Sequence, residues 1–275
     1  MKNIFYLIIL LMVMLTNMIV FAQITTISNL AALEPTLQNA GLNTLVIFDV
    51  DHVLIMPTDE YSLNRNPYRK QLWQELKMRY SEEKARYLRS IAISSAKWRL
   101  VDPYVLNILY YLNTKNIHTI ALTSLTTGKL GVIEKMEDLR IKELQSVGID
   151  FSKLTPFNGE LSITELKSIH GTPMLKSGII LTAEVDKAKV LEYILHSKNY
   201  YPKTIIFIDD QQNNLESLEK LCSKLRIKFH GFHYTAVSSM TIFAIEEQLE
   251  KLRFQILEKE HRWLSYRELA ARVKR

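Results

Sequence analysis

Five short apolar runs separated by segments of helical period constrain this chain more than any other feature of its sequence. They are Thr44–Val50 (TLVIFDV), Ile117–Thr123 (IHTIALT), Gly178–Thr182 (GIILT), Thr204–Asp209 (TIIFID) and Ile227–Phe232 (IKFHGF). Such runs, rich in β-branched residues and bounded by polar ones, read as strands buried on both faces. The segments Pro103–Leu112, Val132–Gln145, Ala188–His196, Leu215–Leu225 and Ile242–Glu258 carry helical spacing. Strands alternating with helices require crossover connections, which cover both faces of a parallel sheet. The expected class is therefore α/β with a Rossmann-like parallel sheet. At 275 residues and 47% hydrophobic content, the chain has the apolar surface for such a core, and it is neither disordered nor low in complexity.

Two stretches exceed what a crossover needs. Residues 57–102 look largely helical and hold ten Lys and Arg against six Asp and Glu, so they read as an inserted helical cap. Residues 150–177 carry Pro156, Gly159, Gly171 and Pro173 and predict a small hairpin or loop insert. No Pro/Gly/Ser-rich linker divides residues 23–275, which read as one unit.

The amino terminus, MKNIFYLIILLMVMLTNMIVFA, combines Lys2, an apolar run from Ile4, and Val20 and Ala22 at the −3 and −1 positions of a cleavage site. This is the form of a signal peptide, residues 1–22, cleaved after Ala22. An uncleaved membrane anchor is the alternative. No Lys or Arg occurs between Lys2 and Arg65, so both readings keep Lys2 inside and export the remainder, to the periplasm or beyond.

In an open parallel sheet, ligands bind beyond the carboxyl ends of the strands. The first run ends in Asp49-Val50-Asp51, two acids that are costly to hold together unless a cation or proton lies between them. A solvated surface turn fits that pair equally well. The second run ends in Thr123-Ser124, hydroxyls able to hold an anion yet common after strands. Lys187 stands where a helix begins after the third, and surface lysines are usually just solvated. The fourth ends in Asp209-Asp210, the type of donor that hard cations such as Mg²⁺ prefer.

The order of these signals is more specific than any one of them. From Asn43 to Asn214 the chain resembles the haloacid dehalogenase (HAD) superfamily of phosphohydrolases. Receiver domains use the same parts with the acidic pair first, and the order here rejects them. The resemblance implies a HAD-type sheet with the cap inserted between motifs one and two, and phosphomonoester hydrolysis through an aspartyl-phosphate. Asp49 becomes the nucleophile, and Asp51 the acid for the leaving alcohol and then the base for water. Thr123, with Ser124 as the other choice, would hold a phosphate oxygen. Lys187, with Lys189 as the other choice, would match the family lysine, although Ala188 stands where the family usually has Gly. Mg²⁺ would lie between Asp49, the carbonyl of Asp51, Asp209 and Asp210, with Asn214 supporting the acidic loop. More loosely, FDVDHVL, IALTS, IFIDDQQNNLESLE, HGFHYT and HRWLSYREL resemble a group of secreted HAD-like proteins from intracellular bacteria, a likeness that implies no substrate.

The remaining signals read as structural. Cys222 reads as a small buried hydrophobe, His230 and His233 as unrelated structural or surface residues, and Trp73, Trp98 and Trp263 as packing residues. His52 is expected to point away from Asp51 and Val53. The net charge of +6 is spread along the chain and predicts no nucleic-acid partner; the resemblance implies a small phosphorylated substrate as the partner. Two further readings keep the fold and change its use: a binding protein directed at a host partner, and a phosphotransferase.

Overall fold

The structure, a computed structural model, describes residues 23–59, 67–240 and 246–273. The segment read as an export signal, residues 1–22, lies outside the described residues. The chain runs through β1 (Gln23–Ile27), α1 (Glu34–Gln38), β2 (Thr44–Phe48), β3 (Ile55–Pro57), α2 (Pro67–Arg79), α3 (Glu82–Ser94), β4 (Trp98–Leu100), α4 (Val105–Thr114), β5 (His118–Thr123) and α5 (Met136–Ser146). It continues through β6 (Leu161–Ser162), β7 (Met174–Lys176), β8 (Ile179–Leu181), α6 (Lys187–Ser197), β9 (Thr204–Asp209), α7 (Gln212–Leu225), β10 (Lys228–Tyr234), α8 (Glu247–Glu260) and α9 (Tyr266–Val273).

Among the described residues, one eight-stranded sheet has the order β1-β10-β9-β2-β5-β8-β7-β6. All pairs from β1 to β8 are parallel, and β8-β7 and β7-β6 are antiparallel. The fold is thus α/β with a mainly parallel, Rossmann-like sheet, as the alternation of apolar runs and helices predicts. The last two antiparallel strands are the hairpin insert expected in residues 150–177.

The strands are apolar throughout because both faces are covered. In β2, Leu45 and Ile47 join one core with Leu191 and Ile194 of α6 and Leu215 and Leu218 of α7. Val46 and Phe48 join the other, with Ile108 and Leu112 of α4. Successive side chains alternate between the faces, so a run such as TLVIF serves both cores at once. Cys222 belongs to the first core, and burial pushes its thiol up to about 12, which removes it as a nucleophile.

The cap expected in residues 57–102 is an insertion between β2 and β5 carrying α2 and α3. Its two connections pair as the antiparallel ribbon β3-β4, with Ile55 opposite Leu100 and Pro57 opposite Trp98. One expectation needs correction. The segment Ile242–Glu258 is read from sequence as another helix in the strand–helix alternation, but α8 packs on the cap. Its Phe254 and Leu257 form a core with Leu72 and Leu76 of α2 and Ala85, Leu88 and Ile91 of α3. The reason is that α2 and α3 need a third apolar surface to bury their stripes. Buried Arg253 adds ion pairs to Asp59 at 3.2 Å and Glu250 at 3.2 Å. Trp73 and Trp263 stack in the same cluster at 6.2 Å, in keeping with their packing assignment.

Candidate active site

Strand β2 lies between β9 and β5, and the chain reaches those neighbours in opposite directions across the sheet. That reversal opens a crevice at the carboxyl end of β2. The register fills it with motif residues: Phe48, just before Asp49, pairs with Ala121 on one side and Ile208 on the other, while Thr123 pairs with Leu181.

Asp49 is held from both ends. Its N–H donates to the Ile208 carbonyl at 2.9 Å, and its Oδ1 accepts from the Val50 N–H at 2.8 Å. The same Oδ1 lies 2.8 Å from Nζ of Lys187, the first residue of α6, which is itself 2.7 Å from Asp209 Oδ2. Asp209 also accepts from the Gln211 N–H at 2.8 Å and from Asn214 Nδ2 at 3.0 and 3.1 Å, so Asn214 does brace the acidic loop. Lys187 is 2% exposed, whereas Lys189 is exposed on the helix. Its backbone N–H donates to the Asp186 cap.

The electrostatics of this group are unbalanced. Burial is the largest influence on Asp49 and, with the charges of Asp209 and Asp51, raises its carboxyl well above the ordinary range against the pull of Lys187. Burial likewise raises Asp209 despite Lys187, the Gln211 N–H and Asn214. Burial opposes the Lys187 charge, but Asp49 and Asp209 outweigh it and hold the ammonium above its ordinary range. Burial also opposes ionisation of Asp210, but hydrogen bonds from His52 and Gln211 overcome it and keep that carboxyl low. One carboxylate oxygen each from Asp49, Asp209 and Asp210 lie within 4.8 Å of one another. Three carboxylates facing one ammonium leave two negative charges over, and an all-oxygen set with that excess fits a divalent hard cation. The Asp51 carboxylate is not in that cluster.

Asp51 faces a different partner. Its carboxylate, 39% exposed, receives Nη2 of Arg140 at 3.0 Å to Oδ1 and 3.2 Å to Oδ2, and the Thr123 hydroxyl at 3.5 Å. Thr123 is buried beside it, while Ser124 is only partly so and its carbonyl accepts from the Glu184 N–H at 3.1 Å. The crevice therefore holds two acids in contrasting settings: Asp49 enclosed against Lys187, and Asp51 open to solvent on one side.

Three contacts add to or correct the sequence reading. Strand β2 stops at Phe48, so His52 does not alternate with Asp51; it adopts φ 66° and brings Nδ1 to 3.4 Å from Asp210. His233 takes the structural one of the two roles read for it, with its ring nitrogen Nε2 3.1 Å from the Asp210 carbonyl. Arg140 escaped notice altogether. Its signal is present in α5, where the buried face reads Met136, Glu137, Arg140, Glu143 and Leu144, with charges at the spacing that normally carries apolar residues.

A structural comparison finds a haloacid dehalogenase-like family hydrolase from Streptococcus pneumoniae at a TM-score of 0.36 and 12% identity, covering 68% of this chain and 93% of that one. That overlap is too loose to bear on fold or function. Among curated proteins, one from Chlamydia pneumoniae named "Putative outer membrane protein" is 27% identical over 221 residues, 74% of each chain. An uncharacterized protein of Rickettsia felis is 28% identical over 160 residues, 55% of this chain and 53% of its own. Among the described residues, no helix is long and apolar enough to cross a membrane. The family model described as "Protein of unknown function (DUF2608)" matches residues 26–270, and the chain belongs to that family.

Proposed function

We propose that this protein is an exported, Mg²⁺-dependent phosphatase that hydrolyses phosphomonoesters through an aspartyl-phosphate on Asp49. The observation that carries the reading is the separation of two acids at one strand end: Asp49 against Lys187 within a carboxylate-rich cluster, and Asp51 outside it. An Oδ atom of Asp49 attacks phosphorus and the ester P–O bond breaks, with the leaving oxygen taking a proton from the Asp51 carboxyl. Asp51, now a carboxylate, takes a proton from water as that water attacks phosphorus, releasing phosphate and restoring Asp49. Lys187 and Thr123 hold phosphoryl oxygens and offset the approach of an anion to an anion. Asp49, Asp209 and Asp210, with the Asp51 carbonyl, would hold Mg²⁺, which supplies charge neutralisation when bound.

In this reading the substrate is a small phosphorylated molecule. A cleft of about 1560 Å³ borders α2, α3 and the C-terminal segment; Lys70, Arg86, Arg89 and Lys97 line it beside Trp98 with the acids Asp59, Glu82 and Glu268, and none of the strand-end site residues does. Export rests on the basic-then-apolar segment 1–22 and on the name of the chlamydial relative. Purified residues 23–275 should release phosphate from a panel of phosphomonoesters with Mg²⁺ and not with a chelator, and Asp49→Asn should abolish release. Turnover that ignores both metal and Asp49 would defeat the reading; binding of a host protein without any turnover would favour an interaction role instead.

A further inference from the structure

Arg140 is a guanidinium buried beneath the crevice, 3% exposed, on the inner face of α5. Burial opposes its charge, but Asp51 and Glu143 outweigh that and hold it charged. Glu143 lies 3.4 Å from its Nε, and the Trp98 ring, at the cap end of the β3-β4 ribbon, stacks 5.1 Å from its central carbon. Its Nη1 and Nε make no hydrogen bond among the described residues, so its directed contact is Nη2 on Asp51. A helix that only had to cover the sheet would be at least as stable with an apolar residue here, because a buried ion pair seldom repays its desolvation. Two carboxylates share the retained charge, Glu143 as an ion pair at 3.4 Å and Asp51 as its hydrogen-bonded partner.

We propose that Arg140 is a positioning residue for Asp51, fixing the carboxyl at the mouth of the crevice where it meets the leaving oxygen and then the attacking water. Trp98 and Glu143 lock the guanidinium from either side, so the cap ribbon and the proton-transferring acid are mechanically joined. The inference rests on the phosphatase reading above and adds to it a residue outside the four strand-end motifs.

The test uses residues 23–275 with Mg²⁺ and two esters, an aryl phosphate whose leaving group needs no proton and an alkyl phosphate whose leaving group does. Arg140→Gln should cut turnover of both by about 10- to 100-fold, the share that a positioned acid or base supplies. The two losses should differ in kind. On the aryl ester the variant should release one equivalent of alcohol in a burst and accumulate a hydroxylamine-labile phosphate on Asp49. On the alkyl ester it should give neither burst nor intermediate. Arg140→Lys keeps the charge but loses the planar group that stacks on Trp98, so it should recover turnover on both esters only in part, above Arg140→Gln and below wild type. Equal loss on both esters with no accumulated intermediate would overturn the role of Arg140 while leaving the phosphatase reading intact. A wild-type protein inactive on both would overturn the phosphatase reading, and the role with it. Arg140→Met, which fills the site without charge, replaces the glutamine variant if that one melts below assay temperature. Failure of both to fold would assign Arg140 to stability and overturn the proposal.

Discussion

At the residue scale the site trades stability for chemistry. Asp49 and Asp209 are enclosed with Lys187 in a space where burial disfavours their charges, and native proteins accept such arrangements mainly where function needs them. The sign follows from linkage. The folded Asp49 carboxyl titrates above the unfolded one, so the native state holds a proton that the unfolded state has released, and stability falls as pH rises through that interval. Without divalent cation, Asp49→Asn should therefore melt higher than wild type by roughly 2–6 °C near neutral pH. The gap should close as pH falls toward the ordinary aspartate range of about 4. Thermal melts in chelator from pH 4 to 8 check this; a variant less stable at every pH would refute it. The same imbalance predicts that Mg²⁺ raises the wild-type melting temperature, and that Asp210→Asn removes most of that rise, since only ligands of the native state stabilise it.

At the element scale the C-terminal helices carry more of the fold than their position suggests. Phe254 and Leu257 of α8 are buried among α2 and α3 residues, so Phe254→Ala should cost about 3–5 kcal/mol in urea unfolding. Tyr110→Ala on α4, where the ring is exposed, should stay within about 0.5 kcal/mol. The contrast also marks what could be read from the chain alone. The strands β2, β5, β8, β9 and β10 and the helices after them were legible because an apolar run buried on both faces has few other uses. Strand β1 was not, since QITTI is short and polar and becomes a strand only by pairing with β10 at the sheet edge. The partner of α8 was equally hidden: helical spacing says which face is apolar, never what covers it. In the site, Asp49, Asp51, Thr123, Asp209 and Asp210 stood out because they follow or end strands, and Lys187 because it begins the helix after one. Arg140, His52 and His233 did not, because their contacts depend on how a helix, a tight loop and a neighbouring strand converge on those ends.

At the scale of the whole molecule, the charge distribution and the proposed export make predictions of their own. The acids between Gln23 and Asn64 include the crevice residues Asp49 and Asp51, while the basic residues begin in the cap whose cleft they line. An anionic substrate should then be drawn in by a field that salt screens, the Debye length falling from about 30 Å at 0.01 M to about 8 Å at 0.15 M. kcat/KM should fall by about 3- to 10-fold across that range, and a flat profile would assign the basic surface to solvation alone. Cleavage after Ala22 would keep Gln23–Ile27, the described residues of β1. The exported protein should accordingly show Gln23 as its first residue by terminal sequencing, and a start beyond Ile27 would contradict this.

Asp49 as the nucleophile is the claim on which the rest depends. It is tested most directly by quenching the enzyme during turnover of an aryl phosphate with Mg²⁺, reducing the acyl phosphate with borohydride, and locating the altered residue by peptide mass spectrometry. The account predicts conversion at position 49 alone, dependent on substrate and metal, and lost in Asp49→Asn. Turnover with no acyl phosphate, or with the modification at another residue, would contradict it.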